Sequence, residues 1–232
     1  MASVQGYWSR PSAPDIVHAK VQPLATYAPW LANAEFRSIL AVVEEHTLVD
    51  EMRLWELFTL SRQVCSKVAG DVLEVGVWRG GSGAILAHAL KGMDCHVYLA
   101  DTFSGVIKAG EFDTAYEGGE HADATVEDVQ QLLGRIRALN ASVLVGPFPD
   151  ETGPSIDGPL SFVHVDVDVY ASARDIMTYV APRMAIGGAV VFDDFGFYGC
   201  EGVTRFVLEL TLDPQWIVVH NLNGHAVCIR AA

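Results

Sequence analysis

Between Val72 and Gly83 the chain reads Val72-Leu73-Glu74-Val75-Gly76-Val77-Trp78-Arg79-Gly80-Gly81-Ser82-Gly83, an apolar run that stops at a glycine turn. Val72–Val75 reads as a buried strand, and Ala84–Leu90, beyond the turn, as a helix. A second apolar run at His96–Ala100 completes a strand–helix–strand unit, the element from which doubly wound sheets are built. A glycine turn lets a ligand approach the backbone closely, and the helix start beside it offers free N–H groups. The spacing is not GxGxxG, since Val77-Trp78-Arg79 separates Gly76 from Gly80.

Working outward, further strands are expected at Ser142–Val145, Ser161–Val165, Ala189–Phe192, Trp216–His220 and Ala226–Arg230, with helices near Val126–Leu139, Ala173–Val180 and Val203–Leu210. The last two strands leave no room for a helix between them, so they suit an antiparallel C-terminal hairpin. The expected fold class is α/β, a doubly wound Rossmann-like sheet ending in that hairpin. Upstream, helices are expected at Ala34–Glu45 and Val49–Val68, the second burying Met52, Trp55, Leu57 and Leu60 and stopping at Gly70. Pro11, Pro14, Pro23 and Pro29 mark residues 1–33 as an irregular arm that packs on the body or on a second subunit. Residues 1–46 are thus expected to form an arm and helix, and 47–232 a single domain.

Composition narrows the class. A chain of 232 residues with 50% hydrophobic content suffices for one well-cored domain. Fifteen Lys and Arg against 29 Asp and Glu give a net charge of -14, which disfavours nucleic acid and anionic membranes as partners. The first twenty residues hold no apolar signal region and no stretch elsewhere reaches membrane-spanning length, so a cytoplasmic protein is expected. Cys65, Cys95, Cys200 and Cys228 lack paired spacing and read as reduced thiols.

Two acidic clusters, His164-Val165-Asp166-Val167-Asp168 and Phe192-Asp193-Asp194-Phe195, sit where apolar runs stop, at the strand ends where open α/β sheets bind ligands. Like charges about 4 Å apart cost on the order of 4 kcal/mol at an effective dielectric of about 20, and a divalent cation or a raised carboxylate pKa removes that cost. Asp101 ends the second strand 25 residues after Gly76 (101 − 76) and is placed to accept hydrogen bonds from ribose hydroxyls. A carboxylate at Glu74 would repel a dinucleotide's phosphates, so a cationic ligand fits better, which points to S-adenosylmethionine. The donor contacts then expected are Glu74, Gly76, Val77, Trp78, Gly80, Gly81, Ser82, Asp101, Thr102 and Phe103. His164 is expected as a buried, hydrogen-bonded histidine behind the site. Thr102–Thr125 is long for a connection and suits a lid, although surface solvation is the better expectation for its Lys108, Tyr116 and His121 taken singly.

Several ordered motifs carry a resemblance. These are Thr47-Leu48-Val49, Gly70-Asp71, Glu74-Val75-Gly76-Val77-Trp78-Arg79-Gly80-Gly81, Asp101-Thr102-Phe103-Ser104-Gly105, Gly146-Pro147-Phe148-Pro149-Asp150, Asp166-Val167-Asp168-Val169-Tyr170 and Gly187-Gly188 followed by Asp193-Asp194. Through them the chain resembles the macrocin O-methyltransferase family, enzymes that methylate sugar hydroxyls of natural products. The resemblance implies a seven-stranded sheet, S-adenosylmethionine as donor, and Mg²⁺ held by Asp166, Asp193 and Asp194. It also implies catalytic roles for Asp166 and for Asp168 as general base, a glycosylated natural product as acceptor, and a homodimer or larger assembly. Val167 departs from the glycine common there, which leaves room for a metal-free or differently shaped site. The rival readings are a catechol or other phenolic acceptor, a non-catalytic S-adenosylmethionine-binding protein, and a nicotinamide-dependent oxidoreductase, against which Glu74 and the glycine spacing argue.

Overall fold

The computed structural model describes residues 16–19, 21 and 24–232. The expectation for Pro11, Pro14 and Pro23 lies outside the described residues. The sheet holds seven strands: β1 (Asp71–Val75), β2 (Val97–Asp101), β3 (Ala141–Val145), β4 (Leu160–Val165), β5 (Met184–Phe192), β6 (Trp216–His220) and β7 (Ala226–Arg230). Their order is β3-β2-β1-β4-β5-β7-β6. The neighbours from β3 to β5 pair parallel, while β7 runs antiparallel to both β5 and β6. The doubly wound sheet with its antiparallel hairpin is therefore as the alternation of elements implies.

Side chains alternate across the sheet with period two and so define two cores. Val72, Leu99, Phe162 and Val191 face α1 (Ala34–Val43), α2 (Glu51–Cys65), α3 (Gly81–Ala89) and α4 (Val126–Ile136). Leu73, Ala100, Val163 and Phe192 face α5 (Tyr170–Val180) and α6 (Glu201–Leu210). Phe36, Ile39, Leu40 and Val43 place α1 inside the first core. The arm touches the body through His18, whose Nε2 lies 3.4 Å from Glu201 Oε1.

Two expectations are corrected. α2 buries Arg53, Leu54, Leu57, Phe58 and Ser61, and Met52 is exposed, with Trp55 and Leu60 only partly buried. The apolar stripe looked four residues wide because it was read without the arginine that anchors it. β5 begins five residues before the expected Ala189, since Gly187 and Gly188 interrupt the apolar pattern where the register with β4 shifts between Leu160 and Phe162. A Cβ at Gly188 would lie 2.8 Å from the Ser161 carbonyl oxygen, so close packing there excludes a side chain.

All four cysteines are free thiols. A hydrogen bond from Cys95 outweighs burial and lowers the Cys65 thiol to about 7. Alkylation of Cys65 by iodoacetamide, followed by peptide mass mapping, is expected to be half-maximal near that pH, and Cys95→Ala to move the midpoint upward. A midpoint near 9.0, the ordinary thiol value, would contradict this.

Candidate active site

Register determines which residues leave the sheet together. Val75 pairs with both Ala100 and Val165, and Val165 pairs with Phe192. The next residues, Gly76, Asp101, Asp166 and Asp193, therefore emerge along one edge, where the strand order reverses between β1 and β4. Open α/β sheets bind ligands at such a switch point, and here the edge opens into a cavity of about 280 Å³.

One wall is the glycine turn. Gly76 has φ +88°, and a Cβ there would lie 1.6 Å from the Asp166 carbonyl oxygen, so no other residue fits. Asp101 shapes the turn: its Oδ2 accepts from the Val77 and Trp78 amides at 2.6 and 2.8 Å, and its Oδ1 from the Phe103 amide at 2.7 Å. A carboxylate has about four acceptor positions, so three are spent on the turn and one is left for a ligand hydroxyl. Trp78 is tied to the long loop, its indole donating to Asp123 at 2.7 Å beneath the Arg79 guanidinium.

Gly76, Val77, Trp78, Ser82, Asp101 and Thr102 line the cavity, whereas Glu74, Gly80, Gly81 and Phe103 do not. Glu74 points to the α3 face of β1, fully buried, and meets His164 Nδ1 at 2.8 Å. A Cβ at Gly83 would lie 2.6 Å from Glu74 Oε2, so α3 seals this carboxylate away from any ligand. Gly81 makes room for the 46–47 segment, with a Cβ placed 2.6 Å from Thr47 Cβ, and Gly80 packs on Val129. Phe103 packs against the first core. These four shape the turn from behind.

The strand ends beside the turn are acidic. Carboxylate oxygens of Asp166, Asp193 and Asp194 lie within 4.8 Å of one another. Burial, then the charges of Asp193 and Asp168, hold the Asp166 carboxyl well above the usual carboxylate range, and the same causes raise Asp194. Asp194 Oδ2 is buried without a hydrogen-bond partner. Burial alone would raise Asp193 too, but the Arg53 guanidinium bonded to its Oδ1, the largest opposing cause, holds it below the ordinary value. Asp168 and Asp194 adopt left-handed backbone, φ 63° and 62°, a strain that clusters at functional sites.

Tyr116 corrects the expectation of surface solvation. Its hydroxyl donates to Asp168 Oδ1 at 2.6 Å, and with His121 it lines the cavity. Lys108 instead pairs with Asp175 at 2.8 Å, outside the lining. Sequence reasoning missed Arg53, Leu48, Phe148 and Phe197 as wall residues. Phe148 was findable, since it follows β3 at the same sheet edge; Arg53 was masked by its place on an apolar helix face. Val167 also lines the cavity.

A family model described as Macrocin-O-methyltransferase (TylF) matches residues 42–213. The chain belongs to the macrocin O-methyltransferase family. It is 30% identical over 169 residues to the 8-demethyl-8-(2,3-dimethoxy-alpha-L-rhamnosyl)-tetracenomycin-C 4'-O-methyltransferase of Streptomyces olivaceus, covering 67% of this chain and 65% of that protein. It is also 30% identical over 171 residues to the Mycinamicin III 3''-O-methyltransferase of Micromonospora griseorubida, covering 67% of each. The chain thus spans about two thirds of the length of these relatives. Among solved structures it is similar to the O-methyltransferase NovP, with a TM-score of 0.66 at 25% identity, covering 81% of this chain and 83% of that one. This family member gathers its acidic cluster and glycine turn around one cavity. Among the described residues, no helix is long and apolar enough to cross a membrane.

Proposed function

We propose that this macrocin O-methyltransferase family member transfers a methyl group from S-adenosylmethionine to a sugar hydroxyl of a natural product, assisted by a divalent cation. The observation that carries the reading is the charge of the cavity: Asp101, Asp166, Asp168, Asp193 and Asp194 face it with Arg53 as their guanidinium partner. Such a wall attracts a sulfonium and repels nucleotide phosphates. The relatives' own acceptors, a rhamnosyl-tetracenomycin and mycinamicin III by their names, support a glycosylated acceptor.

The donor set suits a hard cation. Asp166, Asp193 and Asp194 offer only oxygens, which favours Mg²⁺, Mn²⁺ or Ca²⁺ over zinc. The partnerless Asp194 Oδ2 and the raised carboxyls are what a cation would relieve. Bound there, it would act as a Lewis acid for two neighbouring hydroxyls. The protein's own part is positional. Tyr116 holds Asp168 Oδ1 and so orients the carboxylate that would accept the acceptor's proton. Burial raises this carboxyl, against the Tyr116 hydrogen bond, which brings it closer to the working pH of a general base. Gly76 and the Asp101-braced turn receive the donor, and the loop carrying Tyr116 and His121 walls out water.

Calorimetric titration of S-adenosylmethionine and Mg²⁺ into the wild type and Asp194→Asn tests this. Donor binding is expected in both proteins and the Mg²⁺ signal in the wild type alone. A wild type that binds no donor refutes the reading; donor binding with no Mg²⁺ signal refutes the cation and keeps the fold's ligand.

A further inference from the structure

We infer that His164, His225 and Asp193 form a second cation site, buried behind the first, that takes a zinc-class transition ion. The two histidines are each 0% exposed. His164 Nδ1 lies 2.8 Å from Glu74 Oε1 and His225 Nδ1 lies 3.2 Å from Glu56 Oε2. Glu56 is itself held by the side-chain amides of Asn221 and Asn223. With each Nδ1–H given to a carboxylate, each Nε2 presents a lone pair. This is the arrangement by which proteins orient metal-binding histidines, a carboxylate behind the ring fixing its tautomer and raising its basicity.

Neither Nε2 has a hydrogen-bond partner, and both are buried. Ligand atoms of His164, His225 and Asp193 lie within 4.8 Å of one another. Two imidazole lone pairs and a carboxylate gathered in a dry interior repel unless a cation lies between them. His225 Nε2 is 3.5 Å from Asp193 Oδ1. Bonds of about 2.0–2.2 Å to a tetrahedral Zn²⁺ put neighbouring ligand atoms roughly 3.4 Å apart, so the His225–Asp193 separation already suits two ligands of one ion. Two nitrogens and one oxygen select zinc-class ions, where the all-oxygen cluster selects hard ones. Glu56, Glu74, Asp50 and Asp193 outnumber Arg53, the guanidinium held by Asp50 and Asp193, so a second positive ion lowers the charge imbalance. His164 sits on β4, Asp193 follows β5 and His225 precedes β7. The ion would fasten the C-terminal hairpin to the sheet centre and fix the carboxylate that both sites share. A single proton on His225 is the competing explanation, and it leaves His164 Nε2 unsatisfied.

The test is a Co²⁺ titration of chelator-stripped full-length protein, read by visible absorption, on the wild type and on Asp166→Asn/Asp194→Asn, which dismantles the oxygen cluster. One equivalent of Co²⁺ is expected to give an intense tetrahedral band in both, displaced by Zn²⁺ and not by Mg²⁺. Glu56→Gln is expected to weaken binding about 10- to 100-fold, and His225→Gln to abolish the band. No band in the folded wild type, a band lost in the double variant, or a band that persists in folded His225→Gln overturns the site. If His225→Gln fails to fold, the comparison of the wild type with the double variant still decides. Failure of the methyltransferase reading is separate, since it rests on donor binding.

Discussion

Asp168→Asn is expected to slow methyl transfer by about 10²–10⁴-fold, the usual contribution of a positioned general base. The substitution is nearly isosteric. Asparagine tolerates the left-handed φ of 63° at this position, and its carbonyl oxygen can still accept from the Tyr116 hydroxyl that now bonds Asp168 Oδ1. What disappears is the oxygen able to take a proton. The measurement is release of S-adenosylhomocysteine with any acceptor the protein turns over, at saturating donor, alongside calorimetry of donor binding. A large fall in kcat with donor affinity unchanged supports the assignment. A variant as fast as the wild type would mean that the proton leaves by another route and that Asp168 serves only to hold the loop through Tyr116.

Arg53→Met is expected to cost about 3–5 kcal/mol of stability, as does removing one member of a buried ion pair. At this chain length that is a fall in Tm of about 6–20 °C. The side chains of Arg53 and Asp193 are 9% and 2% exposed, so water does not replace the lost partner. The guanidinium carbon also lies 4.8 Å from the Phe197 ring centroid, so methionine keeps the apolar stem and removes this cation–π contact together with the ion pair. The pH dependence follows from the direction of the shift. Asp193 is held below its ordinary pKa, so its pairing stabilises the fold above the unfolded value and that stability is lost as pH falls through the depressed folded value. The gap between wild type and variant should therefore be widest near neutrality and close on acidification. Thermal melts in chelator across pH measure it; a gap that does not narrow in acid would place the cost in packing instead of charge.

Much of the architecture was legible because hydrophobic period and strand-end chemistry are local signals. The expected spans for β6 and β7, Trp216–His220 and Ala226–Arg230, match the observed ones residue for residue. Helix starts were less legible: α3 begins at Gly81, three residues before the apolar pattern, behind Gly80 in left-handed backbone. A glycine cap has no periodicity to betray it. The convergence of Asp166, Asp193 and Asp194 was legible because both apolar runs end at acids, and parallel pairing with level register brings those ends together.

Glu74 and Arg53 show where local reading stops. Glu74 stands beside the glycine turn in sequence, yet the pleat turns its side chain to the α3 face, where it meets His164 across the β1–β4 pairing. Arg53 is 140 positions from Asp193, a pairing that no spacing rule encodes. By itself the sequence determined the sheet, the glycine turn and the row of acids, because hydrophobic period, backbone permissiveness and strand-end position act over a few residues. Tertiary structure decided which carboxylates face the cavity, which is neutralised by a buried guanidinium, and that Tyr116 reaches Asp168. Those outcomes depend on side-chain direction and on charges brought together from distant segments, and electrostatic energy depends on distance in space.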